Sequence, residues 1–201
     1  MASNTSVAIA SNALVMIGSQ PISAFTDDDG GATVANELYE DIIEELIAEK
    51  DWTFAKKMST SLSRLAAEPE VIWDAAYQLP SDLIDVRTIL VGDSVVDYEV
   101  YGDQVFLNAG ATEVVTAIYT YRAPESTWAP WFRLYVEFTL ASCFAASVAM
   151  KSDLAQMYKE KAVQQGAKAR KRDSQRQTAR KVRTTRFLSN RRTSSAGLRG
   201  V

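Results

Sequence analysis

Twelve cationic side chains crowd the chain from residue 168 onward: Lys168, Arg170, Lys171, Arg172, Arg176, Arg180, Lys181, Arg183, Arg186, Arg191, Arg192 and Arg199. Nine of the twelve are arginine, whose planar fork grips a carboxylate or a phosphate through two parallel hydrogen bonds. An acidic protein surface and a nucleic acid backbone therefore both suit this segment. Phe187 and Leu188, set among the arginines, favour docking onto protein, because an arm that only tracks phosphates gains little from apolar side chains. A merely solvated tail is the plain alternative to both.

Other candidates for chemistry are weak. The chain has no histidine, which removes a Ser-His-Asp relay, a His-bearing zinc site and any side chain that ordinarily titrates near neutrality. Its single cysteine, Cys143, lies in the most apolar stretch with no imidazole to activate it, and reads as a small buried hydrophobe. Asp27-Asp28-Asp29-Gly30-Gly31 superficially resembles a calcium loop but lacks the alternating ligands and closing glutamate of one. Glu44 and Glu45 fall on different faces of a helix, as solvated carboxylates do, and Gly30-Gly31 lacks the lysine and hydroxyl of a phosphate loop. Trp52, Trp73, Trp128 and Trp131 could stack on bases, yet aromatics at helix and strand ends more often belong to a core. No catalytic residue, metal or cofactor is expected, and the chain is not expected to be an enzyme.

The elements that would position the basic segment follow from composition and periodicity. Across 201 residues, 47% hydrophobic and 23% charged, the net charge of -3 hides a division at Met150. Residues 1–150 carry 7 basic and 22 acidic side chains, or -15; residues 151–201 carry 15 basic and 3 acidic, or +12. An acidic body thus bears a basic end. Val7, Ala10, Leu14 and Ile17 predict a helix over 5–17 that Gly18 can end, and the Asp run opens a second helix with its apolar stripe on Ala35, Leu38, Ile42, Ile43, Leu46 and Ile47. Trp52 and Phe54 close that helix, and a short helical piece is expected to end near Pro69. Residues 83–91, 95–101, 104–107 and 113–121 are rich in Val, Ile, Tyr and Thr and separated by tight turns, which predicts a small antiparallel sheet or sandwich. Pro130 then opens an apolar helix through Met150, and Leu154, Met157, Tyr158 and Ala162 continue a further helix to about Lys168.

The expected fold class is α+β: a helical bundle interrupted by a β module, with an extended basic tail. The expected divisions are 1–70 for the first part of the bundle, 71–125 for the β module, 126–165 for the last helices and 166–201 for the tail. The tail alone buries too little to offset its ordering entropy, so a partner is expected to hold it. Residues 1–18 lack the cationic start and continuous apolar core of a signal peptide. Residues 131–150 approach the ~20 residues of a membrane span, but Arg133 and Glu137 lie inside as an i,i+4 pair that a soluble helix can use, so a buried soluble helix is expected. No membrane is expected as a partner.

Several local motifs occur together in order. Ala13-Leu14-Val15-Met16-Ile17-Gly18, Pro21-Ile22, the Asp run, Ala35-Asn36, Tyr39, Ile43-Glu44-Glu45-Leu46, Asp51-Trp52-Thr53-Phe54-Ala55, Trp73, Tyr77-Gln78-Leu79-Pro80-Ser81-Asp82 and the Ala-rich helix from Trp131 resemble the tail tubular protein A family. Those proteins are the head-to-tail adaptors (connectors) of short-tailed bacteriophages, and the resemblance spans roughly residues 14–161. It implies a virion protein at the head-tail junction, assembled in the host cytoplasm. Twelve copies would ring a DNA channel beneath the portal protein and carry the tail nozzle or tail tube protein and fibres. By position and charge, the tail would contact the portal through Arg170, Lys171, Arg172, Arg176, Arg180, Lys181, Arg183, Arg186, Phe187, Leu188, Arg191 and Arg192. Polar turn tips at Gly92, Asp93, Ser94 and at Gly102, Asp103, Gln104 would contact the nozzle. An acidic wall is also suited to passing DNA, since one that bound phosphate tightly would retard it. On this reading, removing residues 166–201 leaves a folded body. The alternative function is non-specific DNA binding by the basic arm.

Overall fold

In the computed structural model, which describes residues 5–59, 61–67, 69 and 72–176, the helical bundle begins where Thr5 accepts a hydrogen bond from the Ala8 amide at 3.3 Å. Helix α1, Ser6–Met16, ends as Gly18 turns into the left-handed region at φ 80, with Ser19 N–H donating to the Leu14 carbonyl at 3.0 Å. The Asp run serves the next helix start. Asp27 accepts from the Ser23 and Ala24 amides, and Asp29 caps α2, Gly30–Ala48, by accepting from Gly31 N–H at 3.1 Å. Helix α3, Pro130–Ser147, has Pro130 in its first turn and packs against the other three helices. After Met150, held at φ 51, helix α4 runs Ser152–Arg176. Ile9, Leu14, Ile43, Ile47, Trp52, Phe132, Leu140 and Phe144 are fully buried in the bundle core. Each contributes roughly 1.5–3 kcal/mol by leaving water.

Between α2 and α3 lie two four-stranded antiparallel sheets. The first has the order β1 (Lys56–Met58), β8 (Val115–Tyr121), β4 (Leu83–Val91), β5 (Ser94–Val96). The second has the order β2 (Ser63–Arg64), β3 (Ala75–Gln78), β7 (Gln104–Leu107), β6 (Tyr98–Tyr101). Alternate residues face a shared second core, in which Tyr77, Ile89, Val105, Leu107, Val115, Ala117 and Tyr119 are buried. The chain passes from one sheet to the other at Asp97, so the single strand expected over 95–101 is two, each paired in a different sheet.

The fold is α+β, with these differences in its parts. Strands of the β module begin at Lys56 rather than at residue 71: β1 pairs with β8, and β2, which pairs with β3, lies at the start of the stretch expected to be a short helix. Strand β3 itself, Ala-Ala-Tyr-Gln, carries no local strand signal and exists through its pairing with β7. Helix α4 continues two turns beyond Lys168, so residues 166–176 are helix where an extended tail is expected. Its buried side is Tyr158, Ala162, Gly166, Ala169 and Asp173, a stripe at steps of three and four.

Trp52 and Arg87 join the two parts. The indole of Trp52 donates to the Leu46 carbonyl at 2.8 Å and meets Phe132 with ring centroids 4.9 Å apart. Arg87, its side chain 7% exposed, donates to Thr120 Oγ1 at 2.8 Å and to the Trp52 carbonyl at 3.1 Å, and pairs with Asp51 at 3.2 Å. One buried guanidinium thereby ties β4 and β8 to the end of α2.

Candidate functional site

The last described turns of α4 are tied to the body by several side-chain bonds. Gly166 lets α4 approach α3 closely: a Cβ there would lie 2.9 Å from Tyr135 Cε2. The Tyr135 hydroxyl donates to Glu49 Oε2 at 2.9 Å, and Arg170 pairs with the other oxygen of the same carboxylate. Burial, then the bond to Glu49, pushes the Tyr135 phenol up to about 12. One turn on, Asp173 is 1% exposed. Its Oδ1 accepts from Thr53 Oγ1 at 2.6 Å and from Thr53 N–H at 3.2 Å, and its Oδ2 from Lys50 Nζ at 3.3 Å. Lys50 Nζ also donates to the Arg170 carbonyl and to Ser174 Oγ, both at 2.8 Å. Lys50, two residues past the end of α2, thus donates to the Arg170 carbonyl on α4.

Arg172 and Arg176 lie over the Trp131 ring, at 5.9 and 4.7 Å from its centroid. Of the cations expected to meet the portal, Arg170, Arg172 and Arg176 therefore have partners inside the chain, and Lys171 is exposed on the helix. Arg180, Lys181, Arg183, Arg186, Phe187, Leu188, Arg191 and Arg192 lie outside the described residues. The anchors Glu49, Lys50, Thr53, Trp131 and Asp173 were not legible as a site in the sequence. The spacing of Ala162, Gly166, Ala169 and Asp173 was a usable signal, but small residues and one carboxylate do not register as an apolar stripe.

The two turns expected to meet the nozzle do not share a surface. Gly92, at φ 58, follows Val91 at the end of β4, beside Val114, and with Asp93 and Ser94 it forms the β4–β5 turn. Gly102, at φ 61, and Asp103 sit instead by the start of β4: Asp103 accepts from Gln78 Nε2 at 2.9 Å, its carbonyl accepts from Leu79 N–H, and the turn shares a cleft with Pro80, Ser81 and Leu83. Nine residues of β4, roughly 30 Å at the rise of a strand, separate the ends. Gln104, first residue of β7, goes with the second turn.

Cys143 is half-buried, and burial, then the nearby charge of Glu45, raises its thiol above the ordinary value, the opposite of what a nucleophile needs. Trp52 and Trp128 are core, whereas Trp131 lies under arginines and Trp73 lies on the second sheet beside Glu99. No helix among the described residues is long and apolar enough to cross a membrane. Comparison with protein-family models and with curated proteins finds no match for this chain.

Proposed function

We propose that the chain is a structural head-to-tail adaptor of a phage virion. Copies ring the axis beneath the portal, leave a channel for DNA, carry the nozzle on the distal side of the β module and strap themselves to the portal with the basic C-terminal segment. The observation that carries this reading is the charge division: residues 1–150 hold -15, and residues 177–201 hold seven cations and no acid. The anchoring of α4 supports it, because Asp173 pairs with Lys50 and Arg170 with Glu49, holding the helix that precedes that segment to the body. A strap needs such a footing to transmit load. Portal attachment then rests on residues 177–201 and weakens with salt.

The test uses the full chain and a form ending at Arg176. The full chain is expected to co-sediment with portal rings at physiological salt and to give a large cyclic oligomer in native mass measurement, alone or with portal. The shortened form should stay folded and fail to co-sediment. If the shortened form binds portal as well as the full chain does, the strap is wrong. Tight duplex DNA binding by the full chain with a steep salt slope, and no portal binding, points instead to a non-specific DNA-binding protein.

A further inference from the structure

The outer face of the second sheet carries an aromatic cluster built around one carboxylate. Glu99 on β6 pairs with Phe106 on β7, and Tyr101 pairs with Gln104, so Glu99, Tyr101 and Phe106 share the side opposite the buried Val105 and Leu107. Trp73 Nε1–H donates to Glu99 Oε2 at 3.1 Å, and the Tyr101 hydroxyl donates to the same oxygen. The Tyr101 and Phe106 rings lie 4.7 Å apart between centroids. Those two bonds hold the Glu99 carboxyl below its ordinary range, so it is ionised near neutrality. Tyr101 is 53% exposed, and beside Trp73 the exposed Ile72 is held at φ 74, a conformation a β-branched residue adopts only under strain.

An exposed carboxylate between an indole and a phenol, backed by a phenyl ring, is a receptor for a cation. The surroundings reinforce this: residues 72–78 and 94–107 contain Asp74, Asp97, Glu99 and Asp103 and no basic residue, and Arg64 on the neighbouring β2 donates to the Asp74 carbonyl. The chain itself holds the matching chemistry. Its last described arginines, Arg172 and Arg176, are already seated on an indole, and seven further cations with Phe187 and Leu188 follow them. Twenty-five residues reach roughly 80 Å when extended, well over the roughly 30 Å of the nine-residue β4.

We propose that the Trp73, Glu99, Tyr101 and Phe106 patch is a guanidinium site, and that its occupant is an arginine of segment 177–201. This goes beyond the adaptor reading and does not need it, because both partners are present in the free chain.

In the nitrogen-15-labelled full chain, the Trp73 indole N–H, assigned by Trp73→Phe, reports occupancy, and the fully buried Trp52 indole is the internal control. Replacing Arg180, Arg183, Arg186, Arg191 and Arg192 together by Gln is expected to shift the Trp73 resonance and leave that of Trp52 in place. A synthetic peptide of residues 177–201, added to that variant, should restore the original position. Adding Glu99→Gln to the same background should weaken the peptide about tenfold. A shift that depends on protein concentration assigns the arginine to a neighbouring copy, and one that does not assigns it to the same chain; either supports the site. A Trp73 resonance that is identical with and without the five arginines, or a peptide that binds without moving it, overturns the proposal.

Discussion

Asp173 satisfies three donors from one buried position, two from Thr53 and one from Lys50. Removing it leaves the Thr53 amide without its partner and Lys50 without its counter-charge, so Asp173→Ala is expected to cost about 2–3 kcal/mol. Urea unfolding checks this: a midpoint within error of the wild type would show that the contacts contribute nothing. Tyr135 makes a prediction of the opposite electrical kind. Its phenol is pushed up to about 12 in the folded chain, above the ordinary value of 10.0, so its stabilising effect is complete below pH 10 and declines as the pH rises toward 12. Tyr135→Phe should make the alkaline fall in melting temperature shallower over that window, while leaving stability at pH 5–8 little changed apart from the lost bond to Glu49.

At the scale of elements, α4 shows how a helix can be fixed by small and polar groups. Gly in a helix interior ordinarily costs about 1 kcal/mol relative to Ala, so Gly166→Ala would stabilise an isolated α4. Here the added methyl meets the Tyr135 ring, which Glu49 and Arg170 hold in place. The substitution is expected to destabilise by about 1–2 kcal/mol, read by thermal unfolding. Any gain in stability would mean that α3 and α4 can move apart at no cost. The β5 to β6 passage carries a parallel lesson, for its one extended run feeds two sheets and sends the Gly92 and Gly102 turns to opposite ends of β4.

For the whole molecule, the folded body extends beyond Gly166 and includes α4 at least to Arg176, the last described residue. A chain ending at residue 165 loses Gly166, Ala169 and Asp173, all buried, together with Arg170, one of the two partners of Glu49. It should melt roughly 5 °C or more below a chain ending at residue 176. Differential scanning calorimetry of the two forms decides it, and equal melting temperatures would return the boundary to residue 166. A deletion from 166 would therefore remove part of the body together with the basic segment.

What could be read from the residues alone was whatever depends on neighbours in the chain. Thr5, Asp29 and Pro130 announce helix starts, Gly18 a helix end, and Gly92 and Gly102 tight turns, because caps and left-handed positions are satisfied within a few residues. The charge division was legible too, being a sum over sequence. The tertiary structure alone decided the rest: β1, β2 and β3 are too short or too poor in strand formers to exist without a partner strand. The last turns of α4 persist because Thr53, Lys50 and Trp131 wait more than forty residues and, for the first two, more than a hundred residues away. Hydrogen bonds and packing between distant segments leave no periodic trace, so their sites emerge only when the chain is folded.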